Sequence, residues 1–206
     1  MVVMADKSVP TSDHIRDIIS FVEASPTSYH AVVELTRRLE QAGFQRLEET
    51  ESWPSVEGRR YVVRDGAVIA WITPEKVTPQ LGARIVGSHT DSPSFKLKPN
   101  ATVTNQGWQQ VGMEVYGGGL LNSWLDRDLG LSGRLVTCDG QAHLVRTGPI
   151  LRISQLAPHL DRTVNDDLKL DRQRHLMPIL SVGKPDLDVE DLLCEAAGIK
   201  RDELAF

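Results

Sequence analysis

Cysteine is scarce in this chain, and its placing excludes two architectures. Cys138 and Cys194 are the only two in 206 residues, far apart and in no C-x-x-C pattern. A disulfide framework or a thiolate zinc site needs more thiols at closer spacing, so both read as reduced structural residues. Long apolar runs are missing too, and no stretch reaches the roughly 20 residues that cross a bilayer. Met1-Val2-Val3-Met4-Ala5-Asp6-Lys7 has neither a basic n-region nor a long apolar h-region. No signal peptide is expected, and a cytoplasmic location is the default. Basic runs are absent and the net charge is −5, so neither nucleic acid nor a membrane is an expected partner. Gly117-Gly118-Gly119 has no Gly-Lys-Ser/Thr after it, which excludes a phosphate loop and leaves a bend or a close backbone approach. No internal repeat or low-complexity segment is visible.

What is present is an ordinary globular composition, 40% hydrophobic and 25% charged, with material for one large core or two small ones. Residues 1 to 10 read as a frayed tail. Thr11 or Ser12 can cap a helix whose Ile15, Ile18, Ile19 and Val22 share a face. Ser28 is a candidate cap for a second helix with a Val32, Leu35, Leu39 stripe, ended by Gly43. His30, in its first turn, reads as a capping or packing histidine. Arg60–Val63 and Val68–Ile72 flank Asp65-Gly66, the signature of a tight hairpin. Residues 73 to 81 read as a loop, and Arg84–Gly87 reads as a short buried strand.

Past Pro93 the texture changes to period-two alternation. Phe95 and Leu97, then Val111, Met113 and Val115, then Leu129, Leu131 and Leu135 predict β-rich structure with frequent turns. Asp188 is a candidate cap for a last helix with Val189, Leu192, Leu193, Ala196 and Ala197 on one face and Gly198 at its end. Phe206 closes the chain with an apolar residue that nothing follows, which reads as a truncation. The expected division is an α/β layer over residues 1–92 and a β-rich domain over residues 93–206.

The chemistry-bearing stretch is Gly87-Ser88-His89-Thr90-Asp91-Ser92-Pro93. Residues two apart on an extended backbone point the same way. His89 can offer a ring nitrogen to a metal while Asp91 orients a ligand, as carboxylates do behind zinc-bound histidines. His-x-Asp also occurs in many surface turns. Asp126 and Asp128 could likewise share a face for a metal, or form a solvated, ion-paired edge. His159 sits in a loop rich in side-chain donors, and its bland alternative is a histidine bonded to nearby backbone. His143 and His175 read as structural.

The longer phrase, residues 87 to 99, is more specific. Together with residues 107–119, 124–134, 159–165 and Ser25-Pro26-Thr27-Ser28-Tyr29-His30-Ala31-Val32, it resembles the M18 family of metallo-aminopeptidases, the aspartyl aminopeptidases. The motifs run in order from about Ser12 to the end of the chain. The resemblance implies an α/β fold: the N-terminal part of a di-zinc aminopeptidase catalytic domain, followed by a β-rich inserted dimerisation domain. It implies release of N-terminal Asp or Glu from peptides by metal-activated water, two zinc ions per site, and a homo-oligomer. It makes His89 the first metal ligand and Asp91 its supporting carboxylate. His159 becomes a loop histidine that reaches a neighbouring subunit's site and donates to the developing oxyanion.

The family's bridging Asp, its Glu-Glu pair with the general base, and its late Asp and His have no counterpart here. A catalytic zinc takes about three protein ligands, so the chain is expected to be an inactive N-terminal half, with apolar faces and a sheet edge left open. The alternative is a non-catalytic partner that joins full-length subunits through the β-rich part. A third reading gathers His89, Asp91, Asp126, Asp128 and His159 into one self-contained metal site.

Overall fold

The computed structural model describes residues 11–53, 57–76, 78, 81–184 and 186–205. The expected tail at residues 1 to 10, the terminal Phe206 and residues 77, 79 and 80 of the expected loop lie outside the described residues. The chain divides into two compact units on either side of the Asp91–Ser92 bond.

The first unit opens with α1 (Thr11–Ala24) and α2 (Ser28–Gln41). Thr11 and Ser12 are already helical in α1, so neither caps it. Pro26 stands between the helices because it cannot continue the first. The cap of α2 is Thr27 rather than Ser28: its hydroxyl accepts from the His30 N–H, and Gly43, at φ 80°, follows the helix end. One position earlier is the better cap because the accepting hydroxyl must sit outside the first turn. A three-stranded sheet follows in the order β1 (Gln45–Arg46), β2 (Gly58–Arg64), β3 (Ala67–Thr73). The β2–β3 hairpin turns at Asp65-Gly66 as expected, with Arg64 paired to Ala67 and Asp65 at φ 51°. Ala31, Val32, Leu47, Tyr61 and Val62 make the core. The Tyr61 hydroxyl donates to Glu40 at 2.5 Å. Burial, with the Glu40 carboxylate beside it, pushes its pKa up to about 12.

The strand expected at Arg84–Gly87 does not form. No described residue pairs with it, and Ile85 and Val86 are 89% and 98% exposed. A run apolar on both sides is a stable strand only where both faces and edges are covered. Likewise Ile15, Ile18, Ile19 and Val22 lie on α1 as the period demands, yet each is more than half exposed.

The second unit is built on an antiparallel five-stranded sheet of order β4-β5-β10-β9-β6. Its strands are β4 (Ser94–Asn105), β5 (Trp108–Tyr116), β6 (Asp128–Leu129), β9 (Leu151–Arg152) and β10 (Ile179–Val182). Between them β7 (Ser132–Val136) and β8 (Ala142–Arg146) form a separate hairpin. Gln106 and Gly107, at φ 52° and 76°, close the β4–β5 hairpin with the left-handed pair that such turns require. The β4–β5 register shifts between Leu97 and Thr102, around Pro99, which has no N–H to give the ladder. Gly117, at φ 76°, also passes so close to Pro93 that an added Cβ would lie 3.2 Å from it.

The last helix, α3 (Val189–Ala197), closes this core. Asp188 caps it by accepting from the Glu190 and Asp191 N–H groups, and Gly198 ends it in the left-handed conformation. Its buried face is Val189, Leu193 and Cys194, so Cys194 replaces the expected Ala196, which is exposed. Val189 packs with Ala101, Val111, Met113 and Leu151, while Leu193 and Cys194 pack with Leu135 and Val145. Burial pushes the Cys194 thiol up, which keeps it protonated and inert.

Candidate functional site

His89 and Asp91 are adjacent in space. The His89 Nδ1 lies 2.7 Å from the Asp91 carbonyl oxygen and 3.4 Å from the Asp91 Oδ1. A carbonyl only accepts, so Nδ1 carries the proton of the neutral ring and Nε2 keeps its lone pair. That is the arrangement of a metal-binding imidazole whose other nitrogen is tied down. The side chain of His89 is 78% exposed, so Nε2 is accessible. Thr90, between them, donates its hydroxyl to the Gly66 carbonyl at 2.6 Å. This joins the segment to the turn of the β2–β3 hairpin.

Zinc fits His89 as one ligand, but the described residues do not complete a site for it. Among them no group of three or more His, Cys, Asp or Glu side chains is placed to hold a metal. A catalytic zinc takes about three protein ligands and an open position.

Asp126 and Asp128 turn out to be an ion-paired edge. Arg152 Nη1 donates to Asp128 Oδ1 at 3.0 Å, and Arg152 Nη2 donates to the Asp126 carbonyl at 2.9 Å. Asp126 also accepts from the Gln155 N–H. His30 is the capping histidine expected, its Nδ1 2.8 Å from the Thr27 hydroxyl. His175 accepts the Asp171 N–H at Nδ1, 3.1 Å away, which leaves its proton on Nε2. His159 belongs to a turn of the second unit, is exposed, and makes no hydrogen bond among the described residues.

Two features escaped the sequence. One is the contact of Thr90 with Gly66, for which no local signal exists because 24 residues separate them. The other is a cavity of about 360 Å³ in the second unit. Trp108, Leu156, Lys169, Arg174, His175 and Met177 are among its walls, and His159 is not. No helix among the described residues is long and apolar enough to cross a membrane.

Residues 21–201 match the family model described as aminopeptidase I zinc metalloprotease (M18). A curated relative from Streptomyces avermitilis, named "Probable M18 family aminopeptidase 2", is 55% identical over 172 residues, 82% of this chain and 40% of the relative. A relative from Ricinus communis, named "Probable aspartyl aminopeptidase", is 37% identical over 91% of this chain and 40% of its own length. The chain thus spans less than half of the curated relatives it matches. Among solved structures, one chain of the Ape4 and Nbr1 complex superposes with a TM-score of 0.85 at 32% identity, covering 93% of this chain and 42% of that one. The S. cerevisiae mApe1 dodecamer gives 0.75 at 26% identity, covering 93% and 46%.

Proposed function

The chain belongs to the M18 family of aminopeptidases, and from that premise we propose that it contributes the first metal ligand to a site releasing N-terminal Asp or Glu from peptides. The observation that carries the reading is the His89–Asp91 pair, with Nδ1 engaged and Nε2 open. His89 is the ligand and Asp91 its positioning partner. In this reading two zinc ions supply the activated water and the polarised carbonyl when bound. The ligands beyond His89 come from outside the described residues, so these residues alone hold no working site. His159 is assigned to donate toward the oxyanion at a neighbouring copy's site within a homo-oligomer. The acidic preference is supported by the name of the Ricinus relative, and the oligomer by the dodecameric mApe1 structure. The cytoplasm is the proposed compartment.

The test is complementation. The pure 206-residue chain with added zinc is expected to leave an N-terminal Asp anilide intact. Co-expression with the part of the Streptomyces relative that this chain does not cover is expected to restore zinc-dependent turnover. His89→Ala should abolish it, and Asp91→Asn, which keeps the carbonyl that meets Nδ1 and removes only the carboxylate charge 3.4 Å from it, should lower it by less than about 10-fold. Turnover by the pure chain would overturn the incomplete-site reading. Restored turnover indifferent to His89→Ala would overturn the ligand assignment.

A second reading, a non-catalytic partner that joins longer subunits, draws on the closed core of the second unit, where Val111 and Val189 are 0% exposed. Co-purification with a full-length family member from the same cell supports it, and a strictly monomeric product opposes it.

A further inference from the structure

His89 owes nothing of its position to the apolar run before it. Ile85 and Val86 are 89% and 98% exposed, and no strand among the described residues pairs with them. Its neighbour Thr90, by contrast, is half-buried and donates its hydroxyl to the Gly66 carbonyl at 2.6 Å. Gly66 is itself seated. A Cβ added there would lie 2.6 Å from the Ser28 Oγ and 3.0 Å from the Ser28 Cβ. The first distance is closer than real Cβ contacts and the second is at their tight end, so the hairpin turn rests directly on the first residue of α2. Ser28 in turn is held by the helix start, where Thr27 accepts from the His30 N–H at 3.3 Å and meets the His30 ring at 2.8 Å. The motif Ser25–Val32 brings no metal ligand of its own, yet it supplies the floor of this column.

We propose that Thr90 is a positioning residue for His89, tying the metal-ligand tripeptide to a hairpin turn that stands on Ser28 of α2. The inference rests on the reading of His89 as a ligand, and it deepens that reading. A hydroxyl pinned at the middle residue holds the two flanking residues in one backbone conformation. In that conformation the Asp91 carbonyl meets the His89 Nδ1–H, and Nε2 is presented with its lone pair free. Without the tether, the same two-residue contact becomes one of many conformations of an exposed chain. A Cβ at residue 66 would have to push the Ser28 side chain aside before the turn could settle there.

The test reads the ring, not the enzyme. In the ¹⁵N-labelled full chain, long-range ¹H–¹⁵N correlations report which nitrogen of His89 is protonated. The wild type is expected to show the Nδ1–H form. Thr90→Val should move the ring to the Nε2–H form that a free imidazole favours, while the amide spectrum of α2 and the hairpin is kept. Thr90→Ser should retain the wild-type ring, because only the hydroxyl is needed. Gly66→Ala should disturb the ring as Thr90→Val does, and adding Ser28→Gly should restore it by making room for the new methyl. An unchanged ring in Thr90→Val, or a Thr90→Ser ring as altered as that of Thr90→Val, would overturn the tether. Failure of Ser28→Gly to rescue Gly66→Ala would overturn the seat. No metal is present in these measurements. A sound tether with His89→Ala still active in the complemented enzyme would sink the ligand reading and leave the tether standing. The reverse pattern would sink the tether alone.

Discussion

Val111 and Ile18 are both β-branched residues on strongly apolar faces, one on β5 and the other on α1. Val111 is 0% exposed and Ile18 is 62% exposed. The contrast extends to their surroundings. In the second unit, Val111 sits among Ala101, Met113, Leu151 and Val189, with α3 as a lid. In the first, Ile15, Ile19 and Val22 share Ile18's exposure, and Ile69 and Ile72 of β3 are 65% and 66% exposed. The period of an amphipathic element tells which residues want cover, and says nothing of whether the cover is part of the chain.

The widest break in that comparison is a matched pair of charges. Val111→Asp buries an unpaired carboxylate in the closed core and should cost roughly 4 kcal/mol or more, enough to lose the sheet. Ile18→Asp should change stability by less than about 0.5 kcal/mol and reduce self-association. Denaturant titration followed by circular dichroism measures both, with light scattering for the second. Equal costs would mean that α1 is covered in solution.

A smaller effect separates the units by acid. In α2, Glu34 accepts from Arg37 at 2.6 and 2.7 Å and from Arg38 at 2.7 Å, and Arg38 reaches Asp17 of α1 at 2.8 Å. The hydrogen bonds from Arg37, then Arg38, hold the Glu34 pKa at about 2 against an ordinary 4.5. A folded value below the unfolded one stabilises above the unfolded pKa and is lost as pH falls through the folded one. Stability of the first unit should therefore drop between pH 4.5 and about 2. Glu34→Gln should flatten that drop and cost about 1 to 2 kcal/mol at neutral pH. An unchanged acid limb in the variant would show that the cluster contributes nothing.

Much of this was legible beforehand, and the pattern of what was not is instructive. Asp65-Gly66, the alternation from Phe95 to Val115, and Asp188 with Gly198 are local signals, and the structure follows them. The helix boundaries slipped by a residue at Thr27, where two adjacent hydroxyls compete for one capping role. Cys194 went unassigned to the core because a 3.6-residue period leaves either flank of a stripe open. The strand at Arg84–Gly87 failed for a different reason: its sequence carries the strand preference, but no described residue supplies a partner edge. At the site, the spacing pointed to the Asp91 carboxylate behind His89, whereas the structure brings the Asp91 carbonyl to 2.7 Å of Nδ1 and the carboxylate only to 3.4 Å. The Thr90–Gly66 contact was not readable, because a hydroxyl that bonds a distant carbonyl leaves no periodic trace.

The finest comparison sets one helix cap against another. Thr27 caps α2 with a neutral hydroxyl, and Asp188 caps α3 with a carboxylate that accepts from Glu190 at 2.8 Å and Asp191 at 3.3 Å. Replacing either by Ala should cost about 1 kcal/mol at neutral pH. The two then part company. Burial pushes the Asp188 carboxyl up, but hydrogen bonds from Thr102 and the Glu190 and Asp191 N–H groups outweigh it and leave it below its ordinary 3.8. Its charge-dependent contribution is thus present above pH 3.8 and fades as pH falls through the lowered folded value. The cost of Asp188→Ala should shrink in acid, while that of Thr27→Ala, made in a His30→Ala background so that no titratable ring meets the hydroxyl, should not. Denaturant titrations of both variants at pH 7 and near pH 2.5 decide it. Parallel losses at the two pH values would mean that Asp188 holds α3 through the position of its oxygen rather than through its charge.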